Sequence, residues 1–311
     1  MSGIGVVVNP RAGRNLRAGD RADRLGDVLG GHGWVRTPAT LEQLCDVAAE
    51  CRNRGVELLG VCGGDGTLAR TLSALVRVYG ADALPAIVPL RAGTMNTVAR
   101  AMGCPRWEPE RMLAEIAATY RRGGALDATE HQLVRVNGGD YGFMIGAGAP
   151  VEFLRLYYDQ PRPGGAAAAR LLARLAGSAV VRGAMVRRLF APMRAAVHCD
   201  GVRVPFDAYT VIYASTIEDI GLGFRPTYRA RERPGHVHVF AGPIGAVEFV
   251  RRLPAIKRGR ATGSAQVHDG LARTVRVEFR QPTFYMIDGD IIGSTTRLTV
   301  EPGPLVRVIR R

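Results

Sequence analysis

The sequence predicts an amino-terminal α/β domain with a parallel, Rossmann-like sheet, followed by a carboxy-terminal antiparallel β-sandwich domain. Up to residue 127, short β-rich runs alternate with segments of helical period, which is the pattern of a parallel sheet covered by helices. From residue 128, most of the chain consists of short alternating runs typical of antiparallel strands. With 311 residues, the chain is long enough to form two separate cores.

In the first half, three buried strands each lead through a glycine-containing loop into a helical segment. The strands are "IGVVV" (4–8), "LLGVC" (58–62) and "AIVPL" (86–90), and the loops are "NPRAG" (9–13), "CGGDGT" (62–67) and "AGTMN" (92–96). Between the first two units, "TLEQ" at 40–43 is a capping box that begins a helix. Because parallel strands end at the same edge of a sheet, the three loops are expected to lie together.

The second half contains short strands, turn signals and one helical segment. Asp200-Gly201 lies between two alternating runs as a hairpin turn should, and Asp269-Gly270 is a further predicted turn. The segment 164–194 is rich in alanine and carries six arginines, so we expect it to be helical. No stretch approaches the roughly 18 apolar residues that a transmembrane segment requires.

The composition limits the classes of partner and compartment. The net charge is +14, but Lys257 is the one lysine among 42 basic residues, and no nucleic-acid-binding motif accompanies the scattered arginines. We therefore predict no nucleic-acid partner, whereas an anionic membrane surface or a phosphorylated ligand would suit the charge. The five cysteines show no CxxC spacing, and the first ten residues do not resemble a signal peptide. These features predict a cytoplasmic protein.

The three loops have the composition of a phosphate-binding site. Glycine lets a phosphate approach the backbone, and the helix that follows offers free N–H groups. Asp65 would repel phosphates unless it serves a cation such as Mg²⁺ or a proton transfer, and the alternative is that it only caps the following helix. Neither a GxxxxGK[ST] P-loop nor a GxGxxG dinucleotide motif is present.

"NPRAG", "GGDGT" and "GTMN", in this order and spacing, resemble the catalytic domain of the diacylglycerol kinase family, which includes bacterial lipid kinases, sphingosine kinases and ceramide kinases. The resemblance continues to "MIDGDII", which is similar to the family's carboxy-terminal "DGE". It implies an ATP- and Mg²⁺-dependent kinase acting on a hydroxyl of diacylglycerol or of a sphingoid or ceramide-like lipid. It also implies a phosphofructokinase-like nucleotide domain (1–127), a lipid-substrate sandwich (128–292) and a final segment (293–311) returning to the first domain.

The resemblance also assigns candidate site residues. Asp290 stands where the family has a glutamate that accepts the proton, and Asp65 is the second catalytic candidate. A simpler interpretation of "YMIDGDII" is an Asp-Gly hairpin turn. The implied partner is a lipid at a membrane surface, which a cytoplasmic protein would reach from the inner face of the membrane. The oligomeric state is left open, and a dimer is compatible with the sequence. The residues that match family nucleotide contacts are Asn9, Pro10, Arg11, Ala12, Gly13, Thr37, Gly63, Gly64, Asp65, Gly66, Thr67 and Thr94.

The sequence departs from the family pattern in three places. "ERPGHVHV" (232–239) replaces an Asp-Gly-x-Leu stretch that helps to bind a structural Mg²⁺ in the family, so that metal site is predicted to be absent. Two additional residues separate Leu90 from Gly93, and Thr97 replaces an acidic residue. Two alternatives are open: an NAD kinase-like small-molecule kinase, since NAD kinases share a GGDGT-type loop, and a catalytically silent lipid- or nucleotide-binding protein, since the metal motif is missing and "DGE" is altered.

Overall fold

The computed structural model describes residues 3–80, 82–160, 164–180 and 183–311. The chain divides into two compact units. The first contains Met1–Leu133 together with Pro304–Arg311, and the second contains Val134–Gly303. Each unit is described by itself below.

The first unit alternates strands and helices, as the sequence pattern predicts. In chain order its elements are β1 (Ile4–Val8), α1 (Asn15–Ala18), α2 (Arg21–Leu29), β2 (Gly33–Arg36), α3 (Leu41–Asn53), β3 (Leu58–Gly63), α4 (Asp65–Tyr79), β4 (Ala86–Arg91), α5 (Thr97–Ala101), α6 (Pro109–Arg121) and the start of β5 (Ala128–Val136).

A parallel sheet with the order β2-β1-β3-β4 forms the centre of this unit. Val308, near the carboxyl end of the chain, lies parallel to β4 beside Ile87. All residues of β1 and β3 are buried, because a parallel sheet is covered on both faces and its strands are therefore apolar throughout. This arrangement brings the carboxyl ends of β1, β3 and β4 to the same edge.

One helix of the first unit differs from the pattern. The helical segment predicted after the first loop is divided into two helices, α1 and α2. Gly19 follows α1 with φ 64°, a left-handed conformation that glycine adopts without strain and that ends a helix. The capping box before α3 is present: Thr40 Oγ1 accepts a hydrogen bond from the N–H of Gln43.

The second unit is an antiparallel β domain with helices, and this confirms the predicted fold class. Its further elements are β6 (Asp140–Gly142), β7 (Met144–Gly148), α7 (Ala149–Tyr158), α8 (Gly165–Val180), α9 (Ala184–Leu189), β8 (Met193–Cys199), β9 (Val202–Arg203), β10 (Ala208–Tyr209), β11 (Val211–Ser215), β12 (Val237–Gly242), α10 (Ala246–Lys257), β13 (His268–Ala272), β14 (Val275–Ile287) and β15 (Asp290–Ile309).

The main sheet of this unit has the order β13-β12-β11-β7-β14-β15, and all these neighbours are antiparallel. β8 pairs with β14 and with the short strands β9 and β10. Asp200 and Gly201 form the predicted turn between β8 and β9, with φ angles of 51° and 81°. Asp269-Gly270 is not a turn, since both residues lie within β13 opposite Phe240 and Val239.

The arginine-rich segment forms α8 and α9, and α8 contacts α7, α9 and α10. Its buried side chains are Ala167, Ala168, Leu171 and Leu175, whereas Arg170 and Arg174 are exposed. The apolar face of α8 is thus used in packing. None of the helices in the described residues combines the length and the hydrophobicity needed to cross a membrane.

The limits between the units fall within two strands. The sequence placed the domain limits at 127/128 and 292/293, and the structure divides the chain after Leu133 and after Gly303. β5 includes the first limit and β15 includes the second. Because the alternating pattern continues through each strand, composition alone does not mark these limits.

Candidate active site

Three glycine loops lie at the carboxyl edge of the first unit's sheet. The loop after β1 begins at Asn9, the loop after β3 contains Gly64, and the loop after β4 spans 92–96. Since β1, β3 and β4 are adjacent and parallel, the fold brings together these loops that are far apart in sequence.

Asn9 joins the first loop to the second. Its Nδ2 donates a hydrogen bond to Thr67 Oγ1 over 2.8 Å, and its Oδ1 accepts one from the N–H of Arg11 over 2.9 Å. The carbonyl of Asn9 accepts hydrogen bonds from the N–H of Ala12 and from Nδ2 of Asn15. Asn9 therefore holds the turn of "NPRAG" and positions it against the first turn of α4.

Asn15 is a residue of this site that the sequence analysis did not identify. Its side chain is buried, and Nδ2 also reaches the carbonyl of Cys62 over 3.3 Å, while Oδ1 lies 3.6 Å from Cys62 Sγ. It thus links the first loop to the end of β3. A buried asparagine at the start of a short helix could have suggested such a role, but its side chain also fits an ordinary helix start.

The second and third loops are in direct backbone contact. The carbonyl of Gly63 accepts hydrogen bonds from the N–H groups of Ala92 and Gly93, over 3.0 and 2.9 Å. A Cβ atom on Gly93 would lie 2.3 Å from the Cα of Gly64, so no side chain fits there. A Cβ atom on Gly63 would lie 2.5 Å from the side chain of Thr67. These glycines are required by close approach of the backbone.

Thr94 and Asn96 complete the third loop. A Cβ atom on Gly13 would lie 2.9 Å from Thr94 Oγ1, which shows that the first and third loops are also close. Asn96 is buried with φ 48°, and its side chain exchanges hydrogen bonds with the N–H (3.0 Å) and carbonyl (2.7 Å) of Gly93. Asparagine tolerates this left-handed conformation, and its amide closes the turn.

The carboxylate of Asp65 receives the first N–H groups of α5. Thr97 N–H donates to Oδ2 over 2.8 Å, and Val98 N–H donates to Oδ1 over 2.9 Å. The N-cap of α4 itself is Gly64, which has no side-chain cap. Asp65 therefore does cap a helix, but this is the helix after the third loop and not the helix that Asp65 begins.

Thr37 is exposed and immediately follows β2, the strand next to β1. In the part of the chain that the structure describes, its side chain makes no hydrogen bond to the three loops. Pro10, Arg11 and Thr94 are exposed, and Ala12 and Gly66 are buried. The structure thus brings together all the predicted loop residues, with Thr37 one strand further along the same edge.

In the second unit, Asp288 and Asp290 lie at the turn between β14 and β15. Ile287 pairs with Asp290 around the two-residue loop Asp288-Gly289, whose φ angles are 48° and 89°. Both angles are positive, as a type I′ hairpin turn requires. The Asp-Gly hairpin inferred from the sequence is therefore present, and Asp290 is its first residue on β15.

Asp288 is a buried anchor of this turn. Its exposed fraction is 1%, and Oδ1 accepts hydrogen bonds from the N–H groups of Phe143 and Met144, each over 2.9 Å. The Asp288 N–H donates to the carbonyl of Met144. Asp288 therefore positions the turn, whereas Asp290 is only partly buried.

His238, in the segment "ERPGHVHV" where the family resemblance would place a metal, pairs with Asp269 of β13. His238 is fully buried, its Nδ1 accepts the N–H of Arg229 over 3.1 Å, and its Nε2 lies 2.7 Å from Asp269 Oδ1. Within the described ranges, no three His, Cys, Asp or Glu side chains are grouped as a metal ion would require.

Residues 3–140 match the family model of the diacylglycerol kinase catalytic domain. Residues 168–310 match the model of the YegS C-terminal NAD kinase beta sandwich-like domain. The chain therefore contains a diacylglycerol kinase catalytic domain. The three glycine loops and Asp65 lie within the part that matches the catalytic-domain model of this kinase family.

Solved structures similar to this protein share its fold over nearly the whole chain. Three are from Bacillus anthracis str. Sterne: one is described as a diacylglycerol kinase and two as a "putative diacylglycerol kinase". Their identities are 16%, 14% and 15%, with TM-scores of 0.71, 0.62 and 0.67. Each alignment covers 99% of this chain and 96% or 97% of the other. A search among curated proteins found no match.

Proposed function

We propose that the protein is an ATP-dependent lipid kinase that transfers the γ-phosphoryl group to a hydroxyl of diacylglycerol or of a sphingoid or ceramide-like lipid. The main support is the convergence of three glycine loops at one sheet edge, within a chain that contains a diacylglycerol kinase catalytic domain. The proposal includes ATP as donor and a lipid as acceptor.

The nucleotide would bind through the backbone of the three loops. Gly64 and Gly93 have no side chains where the second and third loops meet, so phosphate oxygens would be able to approach the N–H groups at the start of α4. We assign the phosphate contacts to the loops after β1 and β3 and to Thr94, and we place Thr37 at their margin. Surrounding arginines such as Arg11 would favour an anion.

Asp65 is the carboxylate that would hold Mg²⁺. Mg²⁺ is usually bound by one or two carboxylates together with substrate phosphates and water, so a group of three protein ligands is not needed. Asp65 fits this donor set because its carboxylate is only partly buried and lies among the three loops, held by the N–H groups of Thr97 and Val98. When bound, the cation would neutralise charge on the phosphates.

We assign the general base to Asp290. A lipid hydroxyl is a weak nucleophile at neutral pH, so a carboxylate must accept its proton during transfer. Asp290 is partly exposed, and it follows Gly289, which has no side chain to obstruct an acceptor. Asp288 is only 1% exposed, so it is less accessible to an acceptor hydroxyl than Asp290. Asp65 is the alternative base.

The direct test is incubation of the purified protein with labelled ATP, Mg²⁺ and a total lipid extract, followed by identification of the labelled product by mass. We expect a phosphorylated lipid. A parallel reaction with NAD tests the NAD kinase-like alternative, which the name of the second matched domain makes relevant. If neither acceptor is phosphorylated while ATP still binds, the protein is a silent binding protein and the proposal is wrong.

Variants of the hairpin turn test the base. Asp290→Asn should lower turnover by about 10² to 10⁴ with little change in ATP affinity, the usual contribution of a general base. Asp290→Glu is the matched control and should keep much of the activity, since it retains the carboxylate. If the turnover of Asp290→Asn stays within about twofold of wild type, Asp290 is not the base and Asp65 becomes the candidate.

A further inference from the structure

Three large apolar or aromatic side chains are exposed at one place in the second unit. Tyr158 ends α7, Phe284 lies on β14, and Ile292 lies on β15. Their exposed fractions are 51%, 45% and 41%. We call these three residues the hairpin patch, because they lie on the β14–β15 hairpin or, for Tyr158, in contact with its turn.

Specific contacts join the patch into one surface. Tyr158 Oη donates a hydrogen bond to the carbonyl of Gly289, in the turn itself, over 3.0 Å. One helical turn earlier, the guanidinium of Arg155 lies 4.3 Å from the centre of the Phe284 ring. The end of α7 therefore lies along the hairpin and brings Tyr158 and Phe284 to the same region.

Ile292 lies on the strand that pairs with the strand of Phe284. Phe284 is paired with Ser294, and Ile292 precedes Ser294 by two residues, nearer to the turn. Ile292 is the extra residue of a β-bulge between the pairs of Tyr285 with Gly293 and of Met286 with Ile291. Bulges change the direction of a side chain, and this one is at an exposed position.

The helices beside the patch are strongly basic. α8 and α9 both contact α7. Across these three helices, Glu152 is the one acidic residue in the described positions, and it is already paired with Arg155 and Arg188. It is outnumbered by exposed or partly exposed arginines, which are Arg155, Arg170, Arg174, Arg187 and Arg188.

We propose that the hairpin patch docks the protein on an anionic lipid bilayer. Tyrosine and phenylalanine at the headgroup level, together with arginines that reach the lipid phosphates, are the chemistry of an interfacial contact. Because α8 uses its apolar face within the fold, the apolar contact with the bilayer comes from the patch and the arginines supply the electrostatic attraction. The patch lies beside Asp290, the proposed base, so the use of such docking in catalysis rests on the proposed function. The vesicle-binding test does not depend on that function.

The test is binding to sucrose-loaded vesicles of equal parts phosphatidylcholine and phosphatidylglycerol, without ATP. The variant Phe284→Thr/Ile292→Thr keeps strand-compatible residues and leaves Tyr158 and Asp290 in place. We expect it to bind about ten- to a hundredfold more weakly than wild type, because two interfacial apolar groups are lost. Vesicles of phosphatidylcholine alone should bind wild type weakly.

The matched control is Val202→Thr/Val247→Thr, also in the second unit. These side chains are 71% and 50% exposed, so the control removes apolar groups that are more accessible than those of the patch. It should bind vesicles like wild type. As a positional readout, Phe284→Trp should show a blue shift and quenching by brominated lipid when vesicles are added.

Three results would overturn the inference. The first is a patch variant that binds vesicles like wild type. The second is a patch variant that differs from wild type in oligomeric state, which would make the patch an interface between two copies of the chain. The third is loss of turnover on a short-chain, water-soluble diacylglycerol, which would place the patch in the acceptor site. If wild type itself shows no turnover, the proposed function fails but the vesicle result still decides the docking.

Discussion

Gly93→Ala tests whether the glycine loops are packed as closely as the structure shows. The new Cβ would lie 2.3 Å from Gly64 Cα, 2.9 Å from Asn96 Oδ1 and 3.1 Å from the nitrogen of Gly64. Ordinary contacts begin near 3.4 Å. The main clash is between two backbones, so no flexible side chain can move to relieve it.

The expected loss of stability follows from that distance. The two loops would have to separate by about 1 Å, and overpacking of this kind typically destabilises a protein by about 1–3 kcal/mol. We expect a loss of about 2–3 kcal/mol, which lowers the melting temperature by roughly 4 to 12 °C for a unit of this size. A displacement of this size in catalytic loops should also lower turnover by about a hundredfold.

Intrinsic fluorescence is a suitable assay, because both tryptophans, Trp34 and Trp107, belong to the first unit. Unfolding in urea followed at tryptophan emission therefore measures the unit that contains Gly93. The matched control is Gly26→Ala within α2, where an added Cβ meets no atom within 4 Å. It should stabilise the unit by about 0.5–1 kcal/mol, since alanine favours a helix over glycine. A Gly93→Ala protein as stable and active as wild type would refute the close contact.

Three further outcomes are expected. Asp65→Asn should abolish turnover and also lower the free energy of unfolding by about 1–3 kcal/mol, because one of the two N–H groups at the start of α5 loses its acceptor. Unchanged stability would contradict the role of Asp65 in capping α5. Asp288→Asn should destabilise the second unit by about 1–3 kcal/mol, measured by circular dichroism in urea, whereas Asp290→Asn should not. Burial raises the pKa of Cys51, Cys62 and Cys104 to about 12, so at pH 8 mass spectrometry should find these thiols unmodified by iodoacetamide until the protein is unfolded.

The sequence predicted that the three loops lie together because its signals are local and repeated. Three times a buried run is followed by glycine and a helical period, and this places the loops after β1, β3 and β4 at one edge without knowledge of any contact. The partner of Asp65 could not be predicted in the same way. The N–H groups of Thr97 and Val98 are more than thirty residues away, and only the fold brings them to that carboxylate.

The incorrect turn prediction has a similar origin. Asp-Gly is a turn signal at 200–201 and at 288–289, and both pairs adopt positive φ angles. At Asp269-Gly270 the same two residues lie in a strand, where Asp269 contacts the buried His238. A tertiary partner for the aspartate therefore overrides the local preference. Asp290 is predictable as a hairpin residue, but its chemical role follows only from the family resemblance.

The contact between Gly64 and Gly93 has a consequence for the time course of ligand binding. Ordering a flexible backbone opposes association by about 1–2 kcal/mol per residue, and a loop that closes around its ligand adds a slow step after encounter. Here the two loops are fixed against each other by folding itself, so a nucleotide meets donors that already have their final positions. Stopped-flow binding of a fluorescent ATP analogue to this unit should accordingly show a single phase whose rate rises linearly with concentration.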